Sequence, residues 1–227
     1  MNKKYNIIKR LILFFCGMSV IQFGVALFLK TNIGSDPFTV FTQGLSFMLN
    51  KTSINNIVEI TPGIANMMIS ITLLVIIFLI EKNRINIGTL ICVVGVGPII
   101  DLGVKAVSYF PVETYNLFVK MLLVVLGCFI IAVGFSILSA ANLGVAPNDI
   151  IPFLIQDKTK FQYKWIRMGM DAVLLVLGFL LGGVVGIGTI ISMLATGPFI
   201  QICLPYGEKI VNAIVKENIE ILENIQA

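Results

Sequence analysis

The chain contains no histidine. That removes the commonest general base, the commonest metal ligand and the usual proton relay near neutral pH. Charge is scarce as well: Asp, Glu, Lys and Arg make up 12% of the 227 residues, against about 25% in a soluble domain. Four cysteines, Cys16, Cys92, Cys128 and Cys203, all lie in apolar runs and form no C-x-x-C pair, so they read as small buried hydrophobes. No G-x-x-x-x-G-K-[ST] nucleotide loop occurs. With no clear metal set and no nucleophile–base pair, neither an enzyme nor a cofactor or metal protein is expected.

What the chain has instead is apolar length. It is 57% hydrophobic, and residues 11–29 run without a charge for close to the roughly 20 residues that a bilayer core demands. Lys3, Lys4, Lys9 and Arg10 ahead of this run resemble the start of a signal peptide. The run is longer than a usual signal core and no small-x-small cleavage site follows, so a retained first helix is expected. The net charge of +4 is no sign of nucleic-acid binding, because Lys and Arg flank apolar runs, where they report membrane orientation.

The chain also repeats itself. Asn32-Ile33-Gly34-Ser35-Asp36-Pro37 returns as Asn142-Leu143-Gly144-Val145-Ala146-Pro147, 110 positions later, and Gly17 and Gly24 recur at the same offset as Gly127 and Gly134. Ile87-Gly88-Thr89 returns as Ile187-Gly188-Thr189, and Gly97-Pro98 as Gly197-Pro198, now 100 positions later. The ten-residue change of offset falls in one polar stretch, residues 51–61. The chain is therefore two copies of one unit, an organisation that in membrane proteins places a binding site between the copies.

Six spans are expected, at residues 11–29, 62–80, 85–102, 117–140, 163–181 and 186–204. This divides the chain into a cytoplasmic N-terminus (1–10), a first membrane repeat (11–104), a second (117–204) and a cytoplasmic amphipathic tail (208–227). With both termini inside, twelve of the sixteen basic residues fall on the cytoplasmic side. Three spans is an odd number, so the second copy enters from the opposite face, giving an all-α fold of two inverted three-helix repeats. Residues 33–49 and 143–156 are also apolar. If both spanned there would be eight helices and a parallel duplication, and charge alone does not decide. The second of these holds Pro147, Asn148, Asp149 and Pro152 and covers only about 21 Å of the roughly 30 Å core, which suits a re-entrant or interfacial helix.

Two sets of residues are candidates for chemistry. Asn32, Gly34 and Asp36, with Asn142, Gly144, Asn148 and Asp149, form two tight turns that each feed a short helix through a proline. If such turns dip into the membrane, their free N–H groups need protein, water or ligand as partners. They are the candidate substrate-binding residues. Thr89, Pro98 and Asp101, with Thr189, Pro198 and Gln201, lie on two helices that proline should kink, and are candidates for lining a cavity. Arg167 and Asp171, at i and i+4, share a helix face and can pair.

These same stretches carry a family resemblance. Gly24, Gly34-Ser35-Asp36-Pro37-Phe38, Gly88-Thr89, Asp101-Leu102, Gly144, Pro147-Asn148-Asp149 and Gly182-Gly183-Val184-Val185-Gly186-Ile187-Gly188-Thr189 before Gly197-Pro198 resemble the YczE/YyaS/YitT-type bacterial integral membrane proteins. The likeness covers about residues 10–204. It implies a multi-pass protein of the bacterial inner membrane and supplies no substrate.

Two functions remain open from the sequence. One is a small-solute transporter or permease with its site at the repeat interface, partnered by the bilayer and an unidentified small molecule. The other is a non-transporting accessory protein that stabilises or regulates a membrane partner. A homodimer is compatible with either, and no nucleic-acid partner is expected. The topology makes a direct prediction. A cysteine at Ser53 should react with an impermeant thiol reagent from outside intact cells, and one at Asn83 only from the cytoplasm; outside labelling of Asn83 would establish eight spans.

Overall fold

The computed structural model describes residues 2–51, 60 and 62–226; of these, the side chains of 2–5, 62, 63, 97, 101 and 216–226 are not described. The stretch of residues 51–61 expected outside the cell therefore lies mostly beyond the described residues. Among the described residues eight α-helices follow one another: α1 (Asn2–Thr31), α2 (Pro37–Lys51), α3 (Pro62–Glu81), α4 (Ile87–Val107), α5 (Leu117–Ala140), α6 (Pro147–Thr159), α7 (Tyr163–Leu180) and α8 (Ile187–Gln226). No strand occurs among the described residues.

Among the described residues four helices are long and apolar enough to cross a membrane, over Asn6–Thr31, Ile64–Arg84, Leu117–Ala140 and Ile187–Val215. The two halves of α4 pass the same test together, bent by 51° where Pro98 interrupts the backbone ladder. The outer faces of these helices carry Ile71, Val75, Phe78 and Leu79 on α3 and Leu122 and Leu126 on α5, all exposed. Such faces are unfavourable in water and natural in lipid. At about 1.5 Å per residue, α2 and α6 reach only about 20–22 Å, short of a bilayer core.

The centre of the fold is the crossing of α1 and α5. A Cβ at Gly17 would stand 2.8 Å from the Gly134 carbonyl, and one at Gly24 would stand 2.8 Å from the Gly127 carbonyl. The four repeated glycines thus let two antiparallel backbones touch, the small-residue route to helix association in lipid. Phe14 and Met18 of α1 and Phe135 and Leu138 of α5 fill the surrounding core. Helix α4 runs alongside α1 in the same direction, with Gly88 near Phe14 and Gly103 near Gln22 and Ala26. Helix α8 does the same along α5, with Phe199 edge-on to Phe129 and Gly207 against Ser136. So α1 and α4 point one way, and α5 and α8 the other.

The repeated turns join the two halves. Asn32 and Asn142 end α1 and α5 in the left-handed region, at φ of 52° and 55°, which Asn tolerates better than other side chains. Gly34 and Gly144 follow at φ of 132° and 111°. Each turn then docks on the other repeat. The Gly88 N–H of α4 donates to the Leu143 carbonyl at 2.8 Å, and the Gly188 N–H of α8 donates to the Ile33 carbonyl at 2.9 Å. Each helix start thereby gains a partner for one of its orphan donors.

The last helix differs from expectation. The tail does not form a separate element after residue 204: α8 continues through Pro198 and Pro205 to Gln226. Packing overrides the proline. Gly207 lies against the Ser136 backbone, Val211 and Val215 are buried, and Lys9 Nζ donates to the Ile214 carbonyl at 3.2 Å.

The turns generate a paired prediction. A Cβ at Gly34 would stand 2.6 Å from Thr189 Oγ1, and one at Gly144 would stand 2.6 Å from Thr89 Oγ1. Gly34→Val and Gly144→Val should each cost about 1–3 kcal/mol from backbone conformation alone, with overpacking in addition. Both should lower the melting temperature of the purified protein, and by similar amounts. Wild-type melting in either variant would show that its turn is no joint.

Candidate functional site

Helices α2 and α6 start beside a common cavity of about 550 Å3. The start of α2 contributes Asp36, Pro37, Phe38 and Thr39, and the start of α6 contributes Ala146, Pro147, Asn148 and Asp149. The walls come from α1 (Gln22, Phe28), α3 (Asn66, Ser70), α4 (Cys92, Pro98), α5 (Phe135), α7 (Arg167, Asp171) and α8 (Thr196, Ile200).

Charge in this cavity is ordered around one guanidinium. Arg167 Nη1 meets Asp149 Oδ1 at 2.5 Å, and Arg167 Nε meets Asp171 Oδ2 at 3.3 Å. Asn148 Nδ2 lies 3.4 Å from Asp149 Oδ1 and donates to it. The three charged side chains are 15%, 17% and 5% exposed, so their pairing is shielded from water and screened little by salt. Asp36 stands apart from this group. Its Oδ1 accepts from the Thr39 N–H at 3.1 Å and its Oδ2 from the Thr39 hydroxyl at 2.6 Å, which makes it the cap of α2. Asp149 occupies the first turn of α6. Both helix N-termini facing the cavity thus carry a carboxylate of their own, where the helix dipole favours one.

The candidate residues divide between cavity and joint. Asp36, Asn148, Asp149 and Pro98 line the cavity. Asn32, Gly34, Asn142 and Gly144 form the turns behind it, and Thr89 and Thr189 are fully buried against those turns. Gln201 serves another end: its Oε1 accepts from the Lys164 N–H at 3.1 Å and caps the start of α7. Pro198 lies in α8 outside the cavity lining. The side chain of Asp101 lies outside the described residues. Among the residues that the candidate set omits, Asn66 and Ser70 carried a readable signal. They sit four apart on one face of an apolar helix, with Ser70 Oγ donating to Asn66 Oδ1 at 3.2 Å. Polar residues inside a span face the protein interior.

A second cavity of about 340 Å3 adjoins the first. It is bounded by Ile69 and Leu73 of α3 and by Gly169, Met170, Val173 and Leu174 of α7, and it shares Phe38, Asn148, Arg167 and Asp171 with the first.

The chain matches a family of unknown function, DUF6198, over residues 8–205. It is 27% identical over 213 residues to the uncharacterized membrane protein YczE of Bacillus subtilis, covering 93% of each chain. It is 25% identical over 195 residues to YyaS of the same organism, covering 85% of this chain and 91% of that one. An uncharacterized protein of Haemophilus influenzae is 25% identical over 187 residues, covering 82% and 79%. No solved structure matches. The likeness to the YczE and YyaS proteins read from the motifs stands, and with its apolar helices the chain is an integral membrane protein.

The ion group generates the next prediction. Arg167→Met leaves two buried carboxylates without their cation and should destabilise the protein by about 3–5 kcal/mol. Asp149→Asn in the same chain should recover part of that loss, because one of the two stranded charges is gone. Unfolding curves of the single and double variants check this; an additive double variant would mean that the two side chains are not coupled.

Proposed function

The chain belongs to that family, DUF6198, and from this premise we propose that it is a small-solute transporter or permease of the bacterial inner membrane, with its site between two inverted three-span repeats. One observation carries the reading. The N-terminal ends of α2 and α6, one from each repeat, meet at a 550 Å3 cavity that holds the Asp149–Arg167–Asp171 group. A protein whose task is only to pack against a partner gains nothing from ionised groups around a central space, and such groups cost stability when buried. Ionisable residues at membrane depth belong to ligand or ion pathways.

Six spans and inversion follow from the same reading. The five apolar spans are joined by α7, whose Lys164, Arg167 and Asp171 lower its apolarity, the last two paired inside the protein. The opposed directions of α1–α4 and α5–α8, with their exchanged docks, support repeats related by a twofold axis in the membrane plane. The excess of basic residues on the side of the termini supports placing that side in the cytoplasm. Neither a catalytic step nor a cofactor belongs to this reading.

Access to the cavity tests it without knowledge of the solute. In a chain lacking Cys16, Cys92, Cys128 and Cys203, a cysteine replacing Ser70 should react with an impermeant thiol reagent from either face of oriented vesicles, because a carrier exposes its site alternately. Labelling from one face only, or from neither, overturns the transport reading.

A further inference from the structure

The charge of the central cavity does not balance. Asp36, Asp149 and Asp171 line the cavity with a single guanidinium, that of Arg167, and among the described residues no other Arg or Lys lines either cavity. The formal sum is two negative charges. The two helix N-termini together offset about one of these, at roughly half a charge each. About one negative charge remains, and holding it in a poorly hydrated space is unfavourable without a counter-charge. An anionic ligand would meet one helix end already capped by Asp36, another that carries Asp149 in its first turn, and an arginine already paired twice. One positive charge completes the set.

The neighbouring cavity says what that charge is attached to. It is apolar almost throughout and opens beside exposed Val173 and Gly169 at the outer surface of α7. A hydrated inorganic ion has no use for such a chamber. No group of three His, Cys, Asp or Glu side chains is arranged to hold a metal ion among the described residues. Phe38 stands at the junction of the two spaces, where an aromatic face can receive an organic cation.

We propose that the joined cavities form one site for a lipophilic monovalent organic cation, its charge held by Asp36 opposite the Arg167 group and its apolar body lodged between α3 and α7. The proposal rests on the transport reading only for the direction of use; the site itself is a matter of binding.

Tetraphenylphosphonium is the probe, and tetraphenylborate, of the same shape and opposite charge, is its control. Both are measured on the full chain in phosphatidylcholine nanodiscs, against empty discs to remove partition into lipid. Saturable binding is expected for the phosphonium alone. Asp36→Asn, which breaks no ion pair, should weaken it at least tenfold, and Asp36→Glu should retain it. Gly169→Leu tests the apolar chamber. A Cβ there meets nothing within 4 Å, so the side chain enters open space, and the change from Gly favours the helix. Its melting temperature should hold or rise while phosphonium affinity falls at least fivefold. Equal binding of the two probes, no saturable phosphonium binding, or wild-type affinity in Asp36→Asn or in Gly169→Leu overturns the proposal. The two readings fail separately. Saturable phosphonium binding without movement across proteoliposomes keeps the ligand class and removes transport. A cavity labelled from both faces with no phosphonium binding does the reverse.

Discussion

Two hydrogen bonds and the turns that make them hold this molecule to its shape. The Ile33 and Leu143 carbonyls, each exposed by a left-handed Asn and a positive-φ Gly, accept from the first turns of α8 and α4. In water such a bond contributes about 1 kcal/mol. In lipid the alternative is an unsatisfied backbone donor, which costs several. The bond is also exchanged: the turn of the first repeat serves the helix of the second, and the reverse. Neither repeat completes its own helix starts, so the halves depend on each other. The α1–α5 glycine contact then sets how near the halves approach, and with it the depth at which both turns lie.

The cavity follows from that exchange. Docking each turn on the other repeat directs the starts of α2 and α6 inward, so Asp36 and Asp149 arrive at one space from different halves. The arms outside the joint are not equally seated. Helix α7 is fixed to α8, with Gln201 capping it and Gly197 admitting the Lys164 carbonyl. Helix α3 stands farther from α4, and the cavity extends along the gap by Met67, Val94 and Pro98. The two halves therefore hold two postures around the cavity.

Much of this was legible in the sequence, and the limits have a physical cause. The ordered recurrence of Gly, Pro, Asn and Thr pointed to two matching turns, and charge-free runs pointed to the four helices that are long and apolar enough to cross a membrane among the described residues. Gly34 and Gly144 declared a turn because only a residue without Cβ occupies such angles cheaply. What stayed hidden were the partners. Ile-Gly-Thr at 87–89 and 187–189 looks like a close approach to some neighbouring helix, and the sequence does not say that its contact is the turn more than 50 residues away. Arg167 and Asp171 announce each other by helical spacing, whereas Asp149 reaches Arg167 from another helix. A local pattern reports which face is buried and is silent on what buries it. The continuity of α8 was hidden for the same reason: the change to a polar tail after residue 204 suggests a separate element, whereas Gly207 and Val211 pack along a helix that runs on.

The scaffold is symmetric and its charge is not, and the cavity itself explains why. At the 110-residue offset Asp36 corresponds to Ala146 and Asp149 to Thr39; at the 100-residue offset Arg167 corresponds to Met67 and Asp171 to Ile71. Each of these four charged positions is neutral at its counterpart. Had both copies kept the full set, two guanidiniums and six carboxylates would crowd one space, leaving a larger excess of negative charge than helix ends could offset. A buried ion group is sustained by close geometry and not by number, because each further charge brings its own desolvation cost. One arginine with two near carboxylates is a self-contained group that a 550 Å3 cavity can hold. Asp36, added from the other half and held only by Thr39, is the charge left over, and it gives the cavity its sign. The two halves match in the pattern of their turns and differ in the charged side chains they bring to the cavity.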